Sequence, residues 1–134
     1  MTPQNESVNA QEESRRGDEA LRAAAELLRL GLHNDSISRA YYAAYHWTRA
    51  VLFTKGLESR THRGALQLLG LHFVRTGRLS AQAVTLLAQL EDRREVSDYS
   101  AATRFTDDEA RQSVDQAEAF IALCRPLVRA GTSV

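Results

Sequence analysis

Between Pro3 and Pro126 this chain contains no proline. Proline inside a helix removes a backbone hydrogen bond and clashes with the preceding turn, so its absence leaves the interior open to long helices. Glycine supplies the punctuation instead. Gly31, Gly56 and Gly77 each follow an apolar run of helical period, where a left-handed residue ends a helix. No stretch alternates Val, Ile and Thr with polar residues at period two, so strands are not expected. The chain is predicted to be all-α.

Five helices are read from this punctuation. Residues 1–13 are polar and read as a disordered tail. The first helix is expected over 14–30, with Leu21, Ala24, Ala25 and Leu28 on one face and Gly31 at its end. Asn34 or Asp35 is placed to cap a second helix, whose stripe of Ile37, Ala40, Tyr41, Ala44, Thr48, Val51 and Leu52 stops at Gly56. Ser59 or Thr61 opens a third, through Leu66, Leu69, Phe73 and Val74 to Gly77. Ser80 caps a fourth through Val84, Leu87 and Leu90 to about Ser97. Thr106-Asp107-Asp108-Glu109 is a capping box for the fifth, with acids at the positive helix end. Short connections favour antiparallel neighbours, hence one up-and-down bundle over 14–130.

Composition narrows the function classes. The chain has 134 residues, enough for one domain, and a formal net charge of zero. Nothing global draws it to nucleic acid or an anionic membrane, so such binding must come from a local patch. The polar, acidic start lacks the apolar core of a signal peptide, and no run is long enough to cross a bilayer. A cytoplasmic protein without membrane contact is expected. The single cysteine, Cys124, sits between Ile121 and Val128 and reads as a small core filler. The four histidines, His33, His46, His62 and His72, never fall three or four apart. With no paired cysteines and no glycine-rich phosphate loop, no metal and no cofactor is expected.

Two segments do not fit a helix that only needs to fold. At about 100° per residue, Arg94 falls in the middle of the apolar stripe Ala83, Leu87, Leu90, with Ser97 and Asp98 beside it. A guanidinium there needs a partner or a task. Asp98, four residues on, can pair with it, although arginine first is the less favourable order. Tyr99 is about 140° round from Arg94 and joins them only if the helix unwinds near Asp98. The second helix carries Arg39, Tyr42, Ala43, His46, Ala50 and Phe53 opposite its apolar stripe. That face is read either as a central helix buried on all sides or as a homodimer interface. Tyr41 shares the Ile37 and Ala44 face and reads as core, which leaves Tyr42 as the functional aromatic. Arg93, Arg94 and Arg104 flank the Asp98-Tyr99 turn, with Arg39 and Arg49 on the second helix. If they converge, they form a phosphate-sized positive patch.

Arg39-Ala40-Tyr41-Tyr42-Ala43 with His46, then Thr61-His62-Arg63-Gly64, then Arg94-x-x-Ser97-Asp98-Tyr99, resemble in order and spacing the HEPN domain, and within it the small prokaryotic HEPN proteins. The resemblance runs from the first helix to about Val128. It implies a bundle of four or five helices that commonly dimerises. It also implies a toxin–antitoxin setting beside a minimal nucleotidyltransferase, whose relatives modify a tyrosine near this motif. By that resemblance Tyr99 is a nucleotide acceptor. Many members are metal-independent ribonucleases built on Arg, four to six residues, then His.

This chain departs at that histidine. From Arg94 the slots hold Tyr99, Ser100 and Ala101; from Arg93 they hold Asp98, Tyr99 and Ser100. Metal-free cleavage needs a base for the 2′-hydroxyl and a cation for the charge on phosphorus. Arg94 suits the second role. Tyr99, with an ordinary pKa of about 10, is a poor base at neutral pH, and whether His46 or His62 stands in depends on the fold. The leading expectation is a HEPN component of a nucleotidyltransferase pair, binding RNA or a nucleotide through Arg39, Tyr42, His46, Arg93 and Arg104. The alternative is a ribonuclease toxin with Arg94, Asp98 and Tyr99 as its catalytic residues.

Overall fold

A computed structural model describes residues 2–132. Five helices follow in order: α1 (Pro3–Arg29), α2 (His33–Phe53), α3 (His62–Leu69), α4 (Ala81–Tyr99) and α5 (Asp107–Thr132). A five-residue π-helix, Gly70–Val74, extends α3. No strand occurs among the described residues. The glycine boundaries and three of the side-chain caps hold in detail. Gly31, Gly56 and Gly77 have φ of +76°, +68° and +77°, the conformation that a residue with a side chain rarely adopts. Ser80 accepts from the Gln82 N–H at 3.2 Å, and Thr61 accepts from the Gly64 N–H at 2.9 Å. At the start of α5 the capping box is reciprocal: Glu109 N–H donates to Thr106 Oγ1 at 3.1 Å, and Thr106 N–H donates to Glu109 Oε1 at 3.0 Å.

Of the residues expected as a tail, 3–13 are helical, and Met1 lies outside the described residues. Thr2 caps α1 by accepting from Asn5 N–H at 3.2 Å, and Pro3 stands in its first turn, where a missing N–H costs nothing. Polar composition hid this start because Ala10, fully buried, is the small contact point through which the segment docks. At α2 neither expected cap acts, and Leu32 precedes the helix without a side-chain bond. Asn34 is engaged elsewhere: its amide donates to Thr103 O at 3.0 Å and accepts from Phe105 N–H at 3.2 Å, stapling the 100–106 connection.

α2 is the central helix, in contact with α1, α3, α4 and α5. Trp47, Val51 and Leu52 pack with Leu69, Phe73, Leu87, Leu90, Phe120 and Ile121 in one core, and Ile37 is fully buried as well. Each such side chain contributes roughly 1.5–3 kcal/mol when fully withdrawn from water. The face opposite the expected stripe is covered as well. Ala43 and Ala50 have no exposed surface and Phe53 is 4% exposed. α1 closes over them through Gly17, where an added Cβ would strike the Trp47 ring and approach the Ala43 carbonyl. The small residues on α2 therefore serve packing inside the monomer, while Arg39, Tyr42, Tyr45, His46 and Arg49 keep an open edge.

Candidate functional site

Arg94 enters the site from the inner side of α4, because its position falls on the stripe that docks α4 against α2. Its side chain is 12% exposed. The partner that makes this tolerable is Glu91, one turn earlier and 9% exposed: Arg94 Nη2 donates to Glu91 Oε1 at 2.5 Å. Asp98, the partner read from the sequence, is secondary at 3.5 Å. Acid before arginine is the orientation that suits the helix dipole. Burial disfavours the guanidinium charge, but the Glu91 hydrogen bond and charge outweigh it and raise the Arg94 pKa above its ordinary value. The cation is permanent.

Three tyrosines surround it. The guanidinium carbon lies 4.8 Å from the Tyr41 ring centre, 5.8 Å from Tyr42 and 5.9 Å from Tyr99. Cations over aromatic faces are held electrostatically by the ring quadrupole. α4 does not unwind at Asp98 but continues to Tyr99, whose ring nonetheless comes within reach of Arg94 while staying 80% exposed.

The third contributor is the start of α3. Capping by Thr61 fixes the first turn, and His62 then projects to Tyr41, whose hydroxyl and His62 Nδ1 share a hydrogen bond of 3.0 Å. The same nitrogen is 3.9 Å from Glu91 Oε2. Burial first, then the Glu91 charge, raises the Tyr41 pKa, so its phenol stays neutral and relays a hydrogen bond rather than acting as a base. Tyr41 is core, as expected, but its hydroxyl and ring face belong to the site. Two buried polar atoms here, Glu91 Oε2 and Arg94 Nε, have no hydrogen-bond partner.

The other expected residues divide. Arg39 joins the edge, its guanidinium carbon 5.1 Å from the centre of the Tyr42 ring, which Arg94 also approaches. His46 is taken by α1: its Nδ1 is 2.7 Å from Glu13 Oε2, and Arg49 pairs with the other oxygen at 3.5 Å. With Arg16, Glu19 and Arg39, His46 lines a hollow of about 390 Å³ beside the site. Arg93 points to α5, donating to Glu109 O at 3.0 Å, Ser113 Oγ at 3.1 Å and Gln112 Oε1 at 2.9 Å. It is a strut between helices. Arg104 stands exposed on the 100–106 connection, in a separate hollow with His33, Asn34 and Phe105. The five arginines thus do not converge into one patch, and Glu91 with Asp98 offsets the charge of Arg94. No group of three metal-ligating side chains occurs among the described residues.

Sequence reading missed Glu91 and left His62 open. Glu91 had a signal: it sits one turn from Leu87 at the margin of the apolar stripe. For His62, only the folding of α3 against α2 and α4 decides its neighbours.

A five-helix bundle with an arginine and tyrosine centre between its second and fourth helices agrees with what comparison shows: the HEPN domain profile matches residues 10–127, and the chain belongs to the HEPN family. A protein of Methanocaldococcus jannaschii named "Putative toxin MJ0605" is 33% identical over 104 residues, 78% of this chain and 77% of that one. A UPF0332 protein of Thermotoga maritima is 27% identical over 114 residues, covering 85% and 86%. The crystal structure of TT1696 from Thermus thermophilus has the same fold, with a TM-score of 0.76 over 88% of this chain and 97% of that one, at 20% identity. No described helix is long and apolar enough to cross a membrane.

Proposed function

We propose that this chain is the HEPN component of a toxin–antitoxin pair with a minimal nucleotidyltransferase, and that it holds RNA or a nucleotide at the α4 end of the site. The observation that carries this is Tyr99, 80% exposed beside a largely buried guanidinium that the half-buried Tyr42 also approaches. Exposed aromatic faces flanking a permanent cation suit base stacking, and an accessible phenol suits acceptance of a nucleotidyl group. The toxin name of the archaeal relative supports the setting. Self-association belongs to the same proposal, through the open edge around Arg39 and Tyr42; light scattering at tens of micromolar tests it, and a strictly monomeric species sinks it. Intact-mass spectrometry after co-expression with the nucleotidyltransferase tests the acceptor. A nucleotidyl adduct on wild type that disappears in Tyr99→Phe is expected. An adduct that persists in Tyr99→Phe moves the acceptor elsewhere, and no adduct at all removes this part of the proposal.

His62 favours a second reading, a metal-independent ribonuclease, because it brings to Tyr41 and to Glu91, the partner of Arg94, the imidazole that α4 lacks. There the 2′-hydroxyl loses its proton to His62 and attacks phosphorus. The bond to the 5′-oxygen breaks and that oxygen takes up the proton held by His62, leaving a 2′,3′-cyclic phosphate and a 5′-hydroxyl, while Arg94 stabilises the charge on phosphorus. RNA cleavage in the presence of chelator, abolished in His62→Ala, is the required result. We place binding first, because Glu91 already occupies Arg94.

A further inference from the structure

Positive charge is segregated in this neutral chain. Between Glu58 and Glu91 there is no acidic residue, while Arg60, Arg63, Arg75 and Arg78 all fall in that window. The fold turns the window into one arm: the loop before α3, α3 itself, the π-helix and the turn at Gly77. All four arginines are exposed. Elsewhere, Arg15, Arg29, Arg49, Arg111 and Arg125 each pair with a carboxylate. On the arm Arg60, Arg63 and Arg75 have no side-chain partner among the described residues; the one acid on the loop before α3, Glu58, lines a hollow with Arg60 but makes no ion pair with it. Lys55, at the end of α2, adds to the far end of the arm. Its Nζ donates to His72 O at 3.0 Å, and it and Arg78 lie 4.9 and 5.1 Å from the Phe73 ring centre. At about 1.5 Å per residue, the helical part of the arm, residues 62–74, is about 20 Å long.

We infer that the α3 arm is a docking surface for the phosphate backbone of a nucleic acid, separate from the Arg94 site and leading to it. The inference rests on the reading that this protein handles RNA. Three features select a polyanion over a protein partner. The guanidinium groups of Arg60, Arg63 and Arg75 are unpaired and on exposed residues, so pairing them with phosphate costs little desolvation and releases counterions. They are spread from the loop before α3 to the turn at Gly77 rather than gathered in one pocket. The arm also exposes only one large apolar side chain, Leu71, whereas protein interfaces centre on apolar cores. Continuity with the site is given by His62, which opens the arm and ends at the Tyr41 hydroxyl. A strand lying along the arm is therefore delivered to the aromatic end of the site without any base being read on the way.

The test is fluorescence anisotropy of a 20-nucleotide single-stranded RNA, and of DNA of the same length, titrated with the full chain between 50 and 200 mM salt (roughly the range over which phosphate pairing weakens most). Arg60→Gln with Arg63→Gln and Arg75→Gln is expected to weaken both probes by about tenfold or more at low salt. The salt slope should fall by about 0.7 for each phosphate no longer neutralised. The corresponding triple lysine variant should retain most of the binding, because pairing with the backbone needs the charge rather than the fork. A control that removes charge from α1, Arg22→Gln with Arg29→Gln, should change little. Equal weakening in that control assigns the effect to net charge and overturns the inference, as does unchanged binding in the triple glutamine variant. Wild type that binds neither probe at 50 mM salt overturns it too. That failure is distinct from failure of the nucleotide-acceptor reading, which is scored by adduct mass and needs no RNA. The exposed, partnerless positions make misfolding of the triple variant easy to recognise, since its melting temperature should match wild type.

Discussion

Arg94 and Glu91, one turn apart on α4, form a buried ion pair in which each is the other's main compensation. Removing one partner leaves the other charged and dry. Arg94→Ala should therefore cost about 3–5 kcal/mol of stability, far more than an exposed pair would. The double substitution Glu91→Leu with Arg94→Met should be less destabilised than either single change. Urea unfolding of the three variants measures this, and strictly additive losses would show that the two residues are not coupled.

The packing of α1 on α2 gives the next expectation. Gly17 faces the Trp47 ring, itself fixed by a hydrogen bond to Asp18 at 3.1 Å and by Arg125 stacked 4.7 Å away. Gly17→Ala must push the helices apart, and overpacking of this kind costs about 1–3 kcal/mol. Ala50→Arg should unfold the monomer rather than dissociate an assembly, because Ala50 is closed off inside one chain. Circular dichroism together with light scattering separates the outcomes: a folded monomer from Ala50→Arg contradicts the packing.

Acid sensitivity should centre on Glu13. Burial alone raises its carboxyl, but the His46 hydrogen bond and the Arg49 and His46 charges overcome this and hold it below the ordinary 4.5. A carboxyl depressed in the folded state contributes stability that is present above its unfolded pKa and lost as pH falls through its folded one. Wild type should lose this contribution below about pH 4.5. Glu13→Gln should be less stable near neutrality and flatter with pH below that point. Identical pH profiles from thermal melts would rule out this assignment.

The capping box at α5 can be tested alone. Thr106→Ala removes the acceptor for Glu109 N–H and the hydroxyl donor to Glu109 Oε1, and should cost about 1 kcal/mol. Thr106→Ser keeps both and should cost little. A loss in the alanine variant no larger than in the serine one, read from melting temperature, would show that water caps this end equally well.

The sequence by itself determined where helices stop. Gly31, Gly56 and Gly77 take the left-handed backbone that only a residue without Cβ adopts cheaply, and Thr61, Ser80 and Thr106 satisfy orphan amides a few residues away. These are local interactions, so local order reveals them. Arg94 was legible for a related reason, since a charge on an apolar stripe marks itself. Tertiary structure decided everything that depends on which surfaces meet. It buried Ala43 and Ala50 under α1, gave His46 to Glu13, and turned Arg93 away to α5. It also set His62 against Tyr41 across 21 residues of chain. Periodicity fixes the angle of a side chain on its own helix. It says nothing of which neighbour fills that angle, and the chemistry at Arg94 is a matter of neighbours.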